Sequence, residues 1–425
     1  MINLNLNAMT LRLAVLVVMS LAPLAETAAT VRYTSPAGSD ARGLSPESPG
    51  AIESMIKLLA PGDTLFMAGG QYDLCKKVFI AQSGRPDSLI TICAMPGARP
   101  VLDFRCQPIG NGNNGIQVKG HYIRLKQFTL RYAGYKGIWL EHARHCILEQ
   151  LDVYGCCNAG IQLRKGGYNT VLNCDVHDNF DYQDGGVNAD GFADKQGGGP
   201  FPGNTYIGCR AWRNSDDGWD SYQRITGDSV PTRYINCVAY DNGPAYFDLS
   251  QHPRVLGVDA ALDCFKGKDL KHFPNGGNPN GFKVGGKGTI HDVELVNCIA
   301  VGHRNKGFDQ NHSAGFVSIV GCTAFRNKIS FGFGNDEPCR LQIVGSVSLE
   351  PAESHLLTPP NGTFSGTANS WDEGYGVAHC DFSSLDSESF ILAPRNADGS
   401  LPYMPPAPAV GGRWSEWGVN LLNPK

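Results

Sequence analysis

Ile207-Gly208-Cys209-Arg210-Ala211 returns along the chain as Ile235-Asn236-Cys237-Val238-Ala239, Val296-Asn297-Cys298-Ile299-Ala300 and Val320-Gly321-Cys322-Thr323-Ala324. Leu172-Asn173-Cys174-Asp175-Val176 has the same shape, with valine in place of alanine. A weaker copy, Glu149-Gln150-Leu151-Asp152-Val153, puts Leu151 in the cysteine slot 23 residues before Cys174 and an acid at the apolar position. Each copy alternates with a period of two, not the 3.6 of a helix. Read as one strand, the alternation predicts that Ile207, Cys209 and Ala211 share a face. The cysteines then form an interior ladder of small thiols.

A second marker fixes the period. A glycine followed by a large apolar residue occurs as Gly137-Ile138, Gly160-Ile161, Gly191-Phe192, Gly218-Trp219, Gly281-Phe282, Gly307-Phe308 and Gly332-Phe333, at steps of 23, 31, 27, 63, 26 and 25 residues. A short basal period with occasional insertions is the mark of a solenoid, because extra residues leave as loops without breaking the stack. Short strands at this period, with no helices between them, predict an all-β, right-handed parallel β-helix. Pro49 to Leu59 has apolar residues at helical spacing and reads as an N-terminal cap helix, entering the first coil at Thr64-Leu65-Phe66-Met67. After Leu349 the repeat is lost in a segment rich in Pro, Gly and Ser. The expected organisation is therefore a leader over 1–29, a β-helix over 30–350 and an irregular tail over 351–425 that wraps back along the solenoid.

The remaining bulk properties agree. The chain has 425 residues, 52 glycines, 26 prolines, 18% charged residues and a net charge of −4, a turn-rich and sheet-rich composition with no basic excess for nucleic acid or a membrane surface. Arg12 precedes an apolar run from Leu13 to Ala22, and small residues end in Thr27-Ala28-Ala29. That order is a secretory leader, so the mature protein is expected to be secreted and extracellular, and to act as a monomer. Of the fourteen cysteines, Cys75, Cys93, Cys106, Cys264, Cys339 and Cys380 fall outside the ladder and are the disulfide candidates. Cys146, Cys156 and Cys157 stay unassigned.

The glycine marker also aligns chemistry. Two residues after it stand Ala193, Asp220, Lys283, Asp309 and Gly334; just before it stand Asp190, Asp217, Asn280 and Lys306. Stacking predicts Asp190 and Asp217 on neighbouring coils, and Asp220 in one column with Lys283, with Asp216 nearby. The 63-residue step leaves Asp220 and Lys283 one or two rungs apart, ~5 to 10 Å. Four carboxylates in one patch require neutralisation, and an oxygen-rich set without a His/Cys cluster suits Ca²⁺ rather than zinc. Taken alone, Ser215-Asp216-Asp217-Gly218 also reads as a polar turn. A lysine beside bound Ca²⁺ has its charged form disfavoured, which lowers its pKa towards a value useful for proton abstraction. Lys283 is therefore the candidate catalytic base.

Asn188-Ala189-Asp190-Gly191-Phe192, Ser215-Asp216-Asp217-Gly218-Trp219-Asp220 and Asn280-Gly281-Phe282-Lys283-Val284-Gly285-Gly286 together resemble the motifs of the family nine polysaccharide lyases, which include pectate lyases. They occur in the family's order, and the likeness extends over roughly residues 31 to 395. The resemblance implies that Asp190, Asp216, Asp217 and Asp220 bind Ca²⁺, that Lys283 is the base, and that the substrate is α-1,4-linked polygalacturonate, cleaved by β-elimination. No general acid is evident. The long segment from Asp241 to Asn280 departs from the family pattern, and its Lys266, Lys268 and Lys271 are candidates for substrate carboxylates, with solvated loop charges the plain alternative. Three rival readings stand beside this one: a β-helix lyase for another acidic polysaccharide, a polygalacturonase-type hydrolase and a non-catalytic glycan-binding β-helix. The sequence has no Gly-His-Gly and no Arg-Ile-Lys, which the hydrolase reading would call for.

Overall fold

The computed structural model describes residues 28–196, 201–226, 230–250, 252, 265, 267–286, 288–386, 388–389, 393–402 and 407–408. The leader read over 1–29 lies outside these residues as far as position 27, as do Cys264 and Lys266.

Three long parallel sheets wrap a single elongated core. The first has twelve strands, from Val31–Thr34 to Thr363–Thr367; the second, ten, from Val78–Ile80 to Ser354–Leu357; the third, ten, from Gly70–Asp73 to Val347–Leu349. Each coil contributes one strand to each sheet in turn, and successive coils pair in parallel register. The chain is a parallel β-helix. A short helix, Ile52–Lys57, turns Ile52, Met55 and Ile56 onto the first coil. It covers the open end of the stack at the place predicted. No helix among the described residues is long and apolar enough to cross a membrane.

The repeated pentapeptide proves to be two strands and a corner. Thr205–Ile207 belongs to the first sheet and Arg210–Trp212 to the third. Gly208 between them has φ +61°, and the equivalent Gln150, Asn173, Asn236, Asn297, Gly321 and Gly345 all have φ between 52° and 61°. This left-handed conformation is cheapest for Gly and Asn, which explains their place in the motif. It also resets the alternation. Cys209 and Ala211 are fully buried as expected, but Ile207, Ile235, Val296 and Val320 are only half-buried, and Tyr206, Tyr234, Leu295 and Ile319 occupy the interior instead. The expectation that Ile207 shares the face of Cys209 therefore fails, because the corner turns the chain between them. The same geometry explains Glu149: its slot pairs with Leu172 and points outward, where Glu149 meets Arg124 and Lys126.

Cys174, Cys209, Cys237, Cys298 and Cys322 form the buried thiol ladder that the sequence predicts, each with its Sγ on backbone carbonyls within the stack, such as Cys209 to Val171 O at 3.3 Å. Among the six disulfide candidates, Cys75 and Cys106 pair with each other. Cys93 and Cys339 are buried thiols, and Cys380 is exposed with no disulfide partner among the described residues.

The glycine marker lines the second sheet. Ile138, Ile161, Phe192, Trp219, Phe282, Phe308 and Phe331 stand in one register. From Phe192 to Phe331 their rings stack at centroid separations of 4.7, 4.6, 5.2 and 4.9 Å. The last rung differs from expectation: Phe331, not Phe333, continues the stack, so Ser330 holds the glycine slot and Gly332, not Gly334, follows Asp309. Glycine is required above because the chains approach closely. A Cβ at Gly218 would stand 2.7 Å from Gly281 O, and one at Gly281 would stand 2.5 Å from Gly307 O.

Trp219–Asp220 pairs directly with Phe282–Lys283. The 63-residue step therefore hides no extra coil, and its surplus leaves as an excursion. Within it Tyr246–Phe247 pairs antiparallel with Phe273–Pro274, and Leu249, Phe265 and Phe273 pack on Cys157, Phe180 and Tyr182. Strand pairing runs on to Thr367, past the boundary at 350 read from the loss of the repeat. The tail then returns along the solenoid. His379 pairs with Glu350, and Arg395 holds Asp175 at 2.7 Å. Further back, Gln150 Nε2 donates to Asp398 O at 2.7 Å.

Candidate active site

The site lies on the outer face of the second sheet, at the rungs whose inner face is Phe192, Trp219 and Phe282. Because side chains alternate along a strand, Ala193, Asp220 and Lys283 point the other way from these rings and form one column. The loop before these strands is held by a buried ladder of side chains. Asn179 Nδ2 donates to Asn214 Oδ1 at 2.7 Å, and Asn214 Nδ2 to Asn242 Oδ1 at 2.9 Å. Asn214 immediately precedes Ser215-Asp216-Asp217, so the ladder sets the height at which those carboxylates emerge.

Asp190, Asp217 and Asp220 converge, with one carboxylate oxygen from each lying within 4.8 Å of the others. All three are buried. Lys283 Nζ stands 3.0 Å from Asp217 Oδ2 and 3.7 Å from Asp220 Oδ1. Asn280 holds the other Asp217 oxygen through its backbone N–H, at 2.9 Å, and its Nδ2, at 2.8 Å. Asp216 lies beside this group but outside the set of three. Its Oδ2 accepts the Asn188 N–H at 3.0 Å, and its Oδ1 accepts the Asn278 N–H at 2.6 Å. The excursion thus returns to the stack by fastening onto Asp216.

One member of the site escapes the sequence reading. Lys195 Nζ bridges Asp190 Oδ2, at 2.9 Å, and Asp220 Oδ2, at 2.6 Å. Lys195 sits two residues beyond Ala193, just past the end of the strand Phe192–Asp194, so extending the register by one more outward step would have reached it. Lys268 and Lys271 are exposed on the excursion, and no ion pair or hydrogen bond joins them to the carboxylates.

Charge explains the titration of the site. Asp190, Asp216, Asp217 and Asp220 set four carboxylates against the ammoniums of Lys195 and Lys283, leaving two negative charges uncompensated in a buried place. Burial, with Asp220 and Asp216 adding to it against the pull of Lys195, raises Asp190 to about 7. Burial likewise raises Asp217 well above the carboxylate range, although Lys283 opposes it. Burial also acts to lower Lys283, but Asp217, Asp220, Asp216 and Asp190 outweigh it and hold the ammonium well above its usual value.

The donor set fits a divalent cation. Asp190 Oδ1 is buried with no hydrogen-bond partner among the described residues, and Asp220 Oδ1 is in the same condition. Two oxygens on one Ca²⁺, each at roughly 2.3–2.6 Å, lie no more than ~5.2 Å apart. The 4.8 Å group meets that limit. A charge of +2 would balance the deficit, and the ligand atoms are the hard oxygens that Ca²⁺ prefers.

Comparison with known proteins identifies the family. Residues 32–340 match the family model described as "Pel9A-like, right handed beta helix region". Pectate lyase L of Dickeya dadantii is 31% identical over 386 residues, covering 88% of this chain and 82% of that protein. Pectate lyase L of Paenibacillus polymyxa is 29% identical, covering 87% of this chain and 79% of that protein. The crystal structure of pectate lyase Pel9A superposes with a TM-score of 0.73 at 30% identity, over 88% of each chain. A solved rhamnogalacturonan lyase, at 22% identity and a TM-score of 0.71 over 88% of this chain and 95% of that one, shares the fold. The chain belongs to the Pel9A-like right-handed β-helix family, that of the family nine pectate lyases, and is a polysaccharide lyase.

Proposed function

We propose that the protein is a secreted, Ca²⁺-dependent pectate lyase that cleaves α-1,4-polygalacturonate by β-elimination. The observation that carries this reading is the placement of Lys283: a lysine amine 3.0 Å from Asp217 and one rung from Asp220, at the edge of a buried carboxylate cluster with a deficit of positive charge. The relatives named pectate lyase supply the substrate class.

Asp190, Asp217 and Asp220, with Asp216 beside them, would hold the Ca²⁺. When bound, the ion supplies positive charge that engages a uronate carboxylate and acidifies the neighbouring C5 proton. Lys283 takes that proton. The C5–H electron pair becomes the C4–C5 double bond as the C4–O bond breaks, and the glycosidic oxygen leaves with its electrons and takes up a proton from solvent. The products are a 4,5-unsaturated sugar end and a new reducing end. Lys283 must be neutral to act. In the free protein the carboxylates hold it as an ammonium; once their charge is countered, burial is what remains to lower its pKa. Asn280 keeps Asp217 oriented throughout, and Lys195 holds Asp190 and Asp220 together.

The test is ultraviolet absorbance of the unsaturated product, on polygalacturonate, alginate and methylated pectin, with and without a Ca²⁺ chelator. Absorbance should rise on polygalacturonate and vanish with chelator. New reducing ends without that absorbance would show hydrolysis and sink the lyase reading.

A further inference from the structure

Next to the carboxylate cluster, on the N-terminal side, a cavity of about 420 Å³ opens on the same sheet face. Its charge is opposite to that of the cluster. Lys136, Arg164 and Arg224 line it together with Lys195, against the acids Asp181 and Asp184.

Neither acid forms an ion pair with these cations among the described residues. Asp181 is taken up by the amides of Asn158 and Asn188 and the backbone N–H groups of Gln183 and Asp184. Asp184 accepts from Asn188 Nδ2 at 3.2 Å. Lys136 is 8% exposed, and its ammonium has no hydrogen bond or ion pair to any described residue. It rests on aromatic faces, 3.5 Å from the ring centre of Tyr135 and 5.4 Å from that of Trp139. The guanidinium groups of Arg164 and Arg224 likewise have no carboxylate partner among the described residues, Arg224 lying 5.9 Å over the ring of Tyr222.

A buried ammonium without a direct ion-pair partner is costly. Desolvation pulls Lys136 down to about 7, with Lys195 and Arg164 adding to the effect. The direction is that of a cation lacking an anion. The register says where the anion belongs. Lys136 precedes Gly137 as Asp190 precedes Gly191, two rungs apart in one column, with Ala159 between them leaving space. Two strand spacings are ~10 Å, within reach of an adjoining sugar of a chain whose reacting uronate lies at the cluster.

We propose that Lys136, with Arg164 and Arg224, forms an anion subsite that binds the carboxylate of a second uronate in the same polysaccharide chain. This rests on the reading of the protein as a lyase of polyuronates. Lys136 is a specificity residue, and the cavity selects an acidic neighbour to the sugar that reacts.

The experiment is calorimetric titration of the full chain, with chelator present so that no turnover occurs, using trigalacturonate and its carboxyl-reduced counterpart. Wild type, Lys136→Met and Arg164→Ala are compared, with a thermal melt for each. Loss of one charge-assisted contact should weaken trigalacturonate binding about 10- to 100-fold in Lys136→Met. The reduced sugar should bind wild type and variant alike, and the melting temperature should hold or rise. With Ca²⁺, Lys136→Met should raise KM on polygalacturonate with little change in kcat. Equal trigalacturonate binding by wild type and Lys136→Met would overturn the subsite. So would a loss of both sugars together with a lower melting temperature, which would mark Lys136 as structural. A wild type that shows the binding difference but releases no unsaturated product would overturn the lyase reading alone.

Discussion

The two faces of the second sheet, at the same three rungs, obey different rules. Inward, Phe192, Trp219 and Phe282 stack ring on ring, and any large flat apolar side chain would continue the pattern. Outward, Ala193, Asp220 and Lys283 are unlike one another, and each is defined by a partner from another strand or loop. Phe282 and Lys283 are chain neighbours, yet one is fully buried in the core and the other belongs to the chemistry. A solenoid thus separates stability from function by one residue of alternation.

Substituting these two neighbours breaks the comparison most directly. Lys283→Ala is expected to lower kcat by about 10²–10⁴-fold, the usual contribution of a positioned base. Phe282→Ala should instead cost about 3–5 kcal/mol of unfolding free energy in a denaturant titration, because a ring leaves the middle of a close-packed stack. A Lys283→Ala variant that unfolds as readily as Phe282→Ala would show that the two faces are not separable.

A smaller effect comes from the outer stack on the third sheet. His177 lies between Tyr154 and Trp212 and contacts Asp152 and Asp178. Burial opposes its charge, but the two aspartates prevail and raise its pKa to about 9. Because the folded value lies above the unfolded ~6.5, the stabilisation is complete below pH ~6.5 and disappears as pH rises through about 9. The expected loss is on the order of 2 kcal/mol, allowing for the partly exposed aspartates. Unfolding curves at several pH values should show it in wild type, and a His177→Gln variant should show a flatter profile.

The smallest effect should come from the thiol ladder. Cys209→Ala removes one sulfur from a packed column and should cost about 1 kcal/mol, with no change in activity. A larger loss would mean that the ladder does more than fill space.

Much of this was legible in the sequence, and the reason is local. A rung is a short pattern repeated, so the glycine and cysteine slots gave the period, the stack and the two columns that hold Asp190 with Asp217 and Asp220 with Lys283. What misled the reading was also local: a left-handed residue at Gly208 turns the chain without interrupting the alternation of residue types, so Ile207 read as a companion of Cys209. Gly332-Phe333 imitated the marker two residues out of step.

The sequence by itself thus determined the architecture and which residues stack, because both follow from periodic side-chain direction. Only the tertiary structure decided that Asp220 and Lys283 are one rung apart, since an inserted loop and an extra coil look alike as a count of residues. Only it placed Lys195 across Asp190 and Asp220, fastened the excursion to Asp216 through Asn278, and left Lys136 in a cavity without an ion-pair partner among the described residues. Such relations join segments far apart in the chain, and no local pattern records the distance between side chains that meet only after the coils have stacked.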